Sequence, residues 1–297
     1  MALAERLLEL SGVEDGSILD LAVMTQDGVS WWRRDDANTC NNGHSTIKVF
    51  VALCIGMLWD EKKVHLEDRA VDFFPTLWPE GMDARWQRVT VGHLLAHRCG
   101  QAQEGGVGFE EEEIPDGGRT DLLTLVLRRP MAYEPGTHYQ YTDDNYYFLA
   151  RILEKITGMG LDRVIGEQLG RPLGFRDFAI SIDPHGHHLG GGCMYMRASD
   201  MVKVGYLLAC GGCADGKQWV SAEWVRRMRE DGYGLTQFRG SDVFIKTGAY
   251  GQGVAFSSKY PIAAAWHRGT YRVKPLPDRN DTMMLAFRRL IQEQFGR

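Results

Sequence analysis

No apolar run in the 297 residues reaches membrane-spanning length, which excludes a transmembrane helix. The N-terminus lacks both a basic n-region and a long apolar h-region. Between Met1 and Gly16 it mixes Glu5, Glu9, Glu14 and Asp15 with leucines at helical spacing. A secretory signal is therefore not expected, and the reading is cytoplasmic. The cysteines, Cys40, Cys54, Cys99, Cys193, Cys210 and Cys213, have no framework spacing, and Cys54 and Cys210 fall in apolar helical stretches. They read as thiols in a reducing compartment. Cys210-x-x-Cys213 lacks the second pair that a zinc site needs. Positive charge is not in excess either. Lys and Arg number 34 against 39 Asp and Glu, for a net charge of −5. That argues against a general nucleic-acid or anionic-membrane surface. No internal repeat is present.

A hydrophobic content of 44% and a charged content of 25% are those of a soluble globular protein. The length permits one large domain or two intimate ones. Ile18 to Thr25, Asp27-Gly28 and Val29 to Arg34 predict a β-hairpin. Ser45 to Asp60 predicts a helix that is apolar on most sides and therefore buried. The middle of the chain is mostly helical. Thr90, Asp144 or Asn145, Ser199 and Ser221 are the expected N-caps, and Gly158 an expected C-cap. Glycine-rich loops cover Glu104 to Gly118 and Leu189 to Gly192. Short strands return at Val243 to Lys246, Gly251 to Phe256 and Ile262 to His267. A last helix opens at Asp281 or Thr282, with Met284, Phe287, Leu290, Ile291 and Phe295 on one side. Strands at both ends predict one sheet built from both termini, with a helical region inserted. The expected division is 1–70 with 235–297 for the sheet domain and 71–234 for the helical one, with the active site in the cleft between.

Ser45-Thr46-Ile47-Lys48 carries the chemistry. On a helix, i and i+3 share a face, so hydroxyl and amine meet. A serine attacks only when a neighbouring base takes its proton, and a lysine serves if its charge is suppressed. Two further clusters follow in chain order, Tyr141-Thr142-Asp143 and Lys246-Thr247-Gly248. S-x-x-K alone is a weak signal; S-x-x-K followed by K-T-G is a signature of acyl-serine enzymes. Ser45 also suits a bare helix N-cap, Tyr141 a core aromatic and Lys246 a solvated strand residue. The joint occurrence of the three clusters favours function for each.

With these motifs the chain resembles the serine β-lactamase and penicillin-binding protein superfamily, and within it the class C β-lactamase-like branch. That branch also holds D-alanyl-D-alanine peptidases, esterases and amide hydrolases. The resemblance runs over nearly the whole chain after about residue 17. It includes Ser45 to Asp60 and its continuation Asp60 to Asp68. It also includes Thr90 to His97, Glu134-Pro135-Gly136-Thr137 leading to Tyr141 and Asn145-Tyr146, and Gly190-Gly191-Gly192 to Gly212. It implies an α/β (α+β) fold: a five-stranded antiparallel sheet flanked by helices plus a mainly helical domain. It implies Ser45 as nucleophile, Lys48 as base or proton relay, and Tyr141 sharing that work. Lys246, Thr247 and Gly248 would line the cleft, and the N–H groups of Ser45 and Ala249 would form the oxyanion hole. One departure stands out. The family has Tyr-x-Asn or Ser-x-Asn, whereas this chain has Tyr141-Thr142-Asp143 and no Tyr-x-Asn anywhere. An asparagine donates and accepts; an ionised aspartate only accepts. Asp143 is thus either a substrate-site group facing Lys48 or a carboxylate serving its helix dipole.

The expected activity is hydrolysis of an amide or ester bond through an acyl-Ser45 intermediate, on a small-molecule or peptide-like substrate. No metal and no organic cofactor are expected, and oligomeric state is not legible. The alternatives are a true β-lactamase or D-alanyl-D-alanine carboxypeptidase and, from another class, a retired scaffold that binds a peptide-like ligand or self-associates. His185, His187 and His188 read as a rim loop rather than a metal site. Glu110 to Glu113 reads as a solvated loop, and Trp31-Trp32 as outer-strand packing against the terminal helix.

Overall fold

The computed structural model describes residues 1–13, 16–102, 106, 117–269 and 281–296. The acidic run Glu110 to Glu113 and most of its loop lie outside the described residues. The main sheet is antiparallel. It takes β1 (Ile18–Thr25) and β2 (Gly28–Arg33) from the N-terminal part of the chain. From the C-terminal part it takes β8 (Thr236–Gln237), β9 (Val243–Thr247), β10 (Gly253–Ser257) and β11 (Ala263–Arg268). The order β2-β1-β11-β10-β9-β8 joins the two ends of the chain through the β1–β11 pair. The sheet therefore has six strands, not the expected five. The extra one, β8, is two residues long and pairs only through Thr236 and Gln237 on the edge beside β9. So short an edge strand carries no periodicity to read. A second small sheet orders β3 (Asn41–Asn42), β5 (Met194–Met196) and β4 (Phe178–Ile180), and β6 (Cys213–Ala214) pairs with β7 (Lys217–Gln218).

The pleat sorts the sheet's side chains by parity. Leu21, Val23, Val243, Ile245, Ala264 and Trp266 face one core, which α1 (Leu3–Ser11) and α10 (Asp281–Phe295) close with Leu7, Met284, Phe287 and Leu290. Trp32 packs at the margin of this core, while Trp31 is exposed. The opposite face presents Ala22, Phe244, Val254, Phe256, Ala263 and Ala265 to the larger core. There α8 (Ala198–Ala209) lies across β1, β10 and β11. The remaining helices, α2 (Ile47–Asp60), α3 (Val91–Leu95), α4 (Leu122–Arg128), α5 (Asp143–Thr157), α6 (Leu161–Ile165), α7 (Arg171–Leu173) and α9 (Ala222–Glu230), build the rest of that core. Every residue of α2 from Ile47 to Leu58 is buried, as an all-round apolar helix requires.

Helix caps follow the expectations where they are local. Thr90 accepts from His93 N–H at 3.3 Å and Ser221 from Trp224 N–H at 3.1 Å. Gly158 ends α5 in the left-handed region. Two expected caps are corrected. Thr142, not Asp144 or Asn145, caps α5 by accepting from Asp144 N–H at 3.2 Å. α8 begins at Ala198, one residue before the expected cap Ser199, because Asp20 on β1 accepts the Ala198 N–H at 2.8 Å. A tertiary carboxylate does there what a local hydroxyl does elsewhere.

Candidate active site

The chain enters the site through a sharp turn. His44 adopts a left-handed conformation at φ 50°, an uncommon state for a side chain-bearing residue. Its N–H donates to Asn42 Oδ1 at 2.8 Å, and its ring lies 4.8 Å from that of Tyr250. Ser45 then sits in a 3₁₀ turn, His44–Thr46, that runs into α2 at Ile47. It is therefore neither the first α-helical residue nor its N-cap. The i,i+3 relation survives because the backbone stays helical through the junction. Lys48 Nζ donates to Ser45 Oγ at 3.2 Å.

Lys48 is fully buried. Its ammonium also donates to Asp143 Oδ1 and to the carbonyl of Gly191. An ammonium has three donors and no acceptor, and here all three find oxygens. Burial pushes the Lys48 pKa down, but the Asp143 carboxylate and Tyr141 outweigh it, and the net shift is upward. Lys48 is thus held as a cation. The first-turn carboxylate of α5 reaches it because Gly191 lets the strands and helix close up. A Cβ at 191 would stand 2.7 Å from Asp143 Cβ and 2.8 Å from Asp143 O.

Lys246 comes from β9 on the other side. Its Nζ donates to Tyr141 Oη at 3.3 Å. Both amines face the Tyr141 ring, Lys48 Nζ at 4.9 Å and Lys246 Nζ at 4.7 Å from its centroid. Burial, then the nearby Lys48 charge, lowers the Lys246 pKa from 10.5 to about 7, with Asp143 opposing. The two lysines are thus driven apart: one a fixed cation, the other a group that changes charge near neutrality. Thr247 is the half-buried last residue of β9, and Gly248 follows. A Cβ at 248 would stand 2.6 Å from Gly43 O, so this glycine lets the strand end abut the Ser45 turn. Ala249 is exposed in the turn between β9 and β10.

The fold adds groups that sequence reasoning did not single out. The His97 ring is buried 4.5 Å from that of Tyr141 and 5.0 Å from that of Tyr146, and its Nδ1 accepts the Thr142 N–H at 3.4 Å. Burial and the two lysine charges hold it well below the usual histidine range. His44 is likewise lowered to about 4, first by burial and then by His267. Both rings are neutral at neutral pH. Behind the turn, buried Asp20 accepts from Asn41 Nδ2 at 3.2 Å and lies 2.7 Å from His267 Nδ1, tying the segment before Ser45 to the sheet. The Gly190-Gly191-Gly192 run was visible in the sequence; that the middle carbonyl would meet Lys48 was not.

The histidine cluster is elsewhere. His187 and His188 both engage Glu154, at 2.8 and 3.3 Å, and His188 Nε2 lies 3.3 Å from Asp162. Among the described residues no group of His, Cys, Asp or Glu is arranged to hold a metal ion. No helix among them is long and apolar enough to cross a membrane.

A half-buried serine beside a buried lysine, with a tyrosine–lysine pair next to them, fits an amide or ester hydrolase. The chain belongs to the Beta-lactamase family, whose model matches residues 13–285. A protein of Escherichia coli K12 designated a D-alanyl-D-alanine carboxypeptidase is 31% identical over 127 residues. The match covers 39% of this chain but only 28% of that protein's length. Among solved structures, a protein of Bacillus anthracis designated a 6-aminohexanoate-dimer hydrolase superposes with a TM-score of 0.81. It is 17% identical, over 98% of this chain and 82% of the other. A family VIII carboxylesterase gives a TM-score of 0.74 at 18% identity, over 97% of each chain. A penicillin-binding protein homologue from Caulobacter crescentus gives 0.72 at 15%, over 96% of this chain and 97% of the other. At such identities these structures speak for the shared fold.

Proposed function

We propose that this chain is a serine hydrolase that cleaves an amide or ester bond through an acyl-Ser45 intermediate. The observation that carries the proposal is the pairing of Ser45 with a fixed cation while a second amine of pKa about 7 touches Tyr141. Ser45 Oγ accepts a hydrogen bond from Lys48, so its own proton must go elsewhere. The Tyr141–Lys246 pair takes it. The freed oxygen attacks the carbonyl carbon, and the C–O or C–N bond to the leaving group breaks as that pair returns the proton to it. Water then adds to the acyl-Ser45 carbon, restoring Ser45 and releasing the acid. The N–H groups of Ser45 and Ala249 stabilise the oxyanion of each tetrahedral stage. Thr247 and Gly248 line the substrate's path along β9. The substrate enters between the sheet, built from 1–70 and 235–297, and the helical part, 71–234. The substrate is a small molecule or a peptide-like one. Free thiols at all six cysteines support a reducing, cytoplasmic setting. A D-alanyl-D-alanine carboxypeptidase or β-lactamase activity is the second reading, favoured by the E. coli relative.

Labelling with a fluorophosphonate or a fluorescent penicillin tests the nucleophile. The wild type forms a covalent adduct; Ser45→Ala forms none and loses most turnover, and Lys48→Ala loses nearly as much, since the two act as a unit. Full labelling and hydrolysis by Ser45→Ala would refute the assignment.

A further inference from the structure

Asp143 holds more than Lys48 requires. Its Oδ1 accepts from Lys48, and among the described residues no hydrogen bond reaches its Oδ2. The side chain keeps 24% of its surface accessible, whereas the lysine it pairs with has none. The ion pair with the buried Lys48 ammonium anchors the carboxylate through Oδ1, and the Gly191 backbone lies beside its Cβ. A fixed anionic acceptor therefore looks into the cleft beside the nucleophile.

The distance to the nucleophile follows from the shared donor. Ser45 Oγ and Asp143 Oδ1 both bond Lys48 Nζ, so they lie within two hydrogen-bond lengths, about 6 Å. An acyl chain joined to Oγ and directed toward Asp143 can bring its own α- or β-substituent within about 3 Å of the carboxylate, hydrogen-bonding range. An ionised carboxylate can only accept. A substituent there that donates N–H is held; one that offers only a lone pair faces an oxygen that likewise only accepts, in a partly desolvated cleft. We infer that Asp143 selects acyl groups bearing a primary amine α or β to the scissile carbonyl, gripped by an N–H···Oδ2 hydrogen bond. This rests on the acyl-Ser45 reading and names the substrate class for it: aminoacyl esters or amides with the amino group free. A substrate with an ether or carbonyl oxygen at that position is rejected.

The test compares two esters with one leaving group, glycine ethyl ester and ethyl methoxyacetate, which carry a donor and a pure acceptor at the same atom. The wild type favours the glycine ester in kcat/KM. Asp143→Asn supplies an N–H donor in place of the second oxygen. It lowers the glycine-to-methoxyacetate ratio by about tenfold or more, the worth of one charge-assisted hydrogen bond. Any change in Lys48 chemistry acts on both esters and cancels in the ratio. A wild type that favours methoxyacetate, or a ratio unmoved by Asp143→Asn, overturns the inference while Ser45 labelling stands. So does a labelled wild type that cleaves neither ester. Hydrolysis of both esters by Ser45→Ala sinks the acyl-Ser45 reading, and the inference with it. A second measurement needs no variant: glycinamide protects wild-type Ser45 from fluorophosphonate at about one-tenth the concentration of methoxyacetamide, and equal protection overturns the selection.

Discussion

Replacing Lys246 with methionine should make this protein more stable and less active at once. Lys246 has 9% of its surface exposed, and its pKa falls from 10.5 to about 7, first through burial and then through Lys48. In the unfolded chain the amine returns to its ordinary value. Between pH 7 and 10.5 the unfolded state therefore binds more protons, and stability rises with pH across that window. Below about pH 7 both states carry the proton and the cost of burying it is felt in full. A fall of this size corresponds to about 5 kcal/mol there, shrinking to about 2 kcal/mol near pH 9. Methionine fills a similar volume with no charge to bury. It forfeits one hydrogen bond to Tyr141 at 3.3 Å, worth about 1 kcal/mol. Lys246→Met should thus gain a few kcal/mol at pH 6 to 7, with the advantage over wild type falling by about 2–3 kcal/mol by pH 9. Urea unfolding at pH 6, 7 and 9 measures this, with the fully buried Trp86, Trp224 and Trp266 as fluorescent reporters. Labelling of Ser45 in the same variant should slow markedly. A variant less stable than wild type at every pH, or a difference that does not change with pH, would refute the account of Lys246 as a buried amine neutralised by its surroundings.

Two further perturbations probe the frame. Gly191→Ala places a methyl 2.7 Å from Asp143 Cβ without any demand for a left-handed backbone; it should cost about 1–3 kcal/mol in urea unfolding and slow labelling, because it displaces two of the three acceptors of Lys48, Asp143 and the Gly191 carbonyl. Gly166→Ala is the control, since its new Cβ meets only Phe178 at 3.7 Å, and equal behaviour of the two variants would contradict the packing described. Ending the chain before Asp281 removes Met283, Met284, Phe287, Leu290 and Ile291 from the core that α1 and the sheet share. At about 1.5–3 kcal/mol per buried side chain the loss matches the whole stability of a domain, so the truncated protein should be insoluble or unfolded, and a soluble, cooperatively melting one would show that α10 is dispensable.

By itself the sequence determined what depends on neighbours along the chain. Asp27-Gly28 marks the β1–β2 hairpin, Thr90 and Ser221 cap their helices, Gly158 ends α5, and Ser45 meets Lys48, because turns, caps and the i,i+3 relation are settled within a few residues. Family resemblance supplied the order of the motifs and with it the antiparallel sheet, though not the two-residue strand β8, which has too little length to show a period. Only the tertiary structure decided the rest. Asp143 lies 95 residues from Lys48 and Gly191 lies 143 residues from it, and Asp20 caps α8 across 178 residues. The charge states depend on the same closure. Lys48 and Lys246 are chemically identical amines, and what separates a fixed cation from one that titrates near pH 7 is which carboxylate, carbonyl or second lysine the fold buries beside each. Electrostatic energies in a low-dielectric cleft are set by distances of a few ångströms between groups far apart in sequence, and no local pattern encodes those distances.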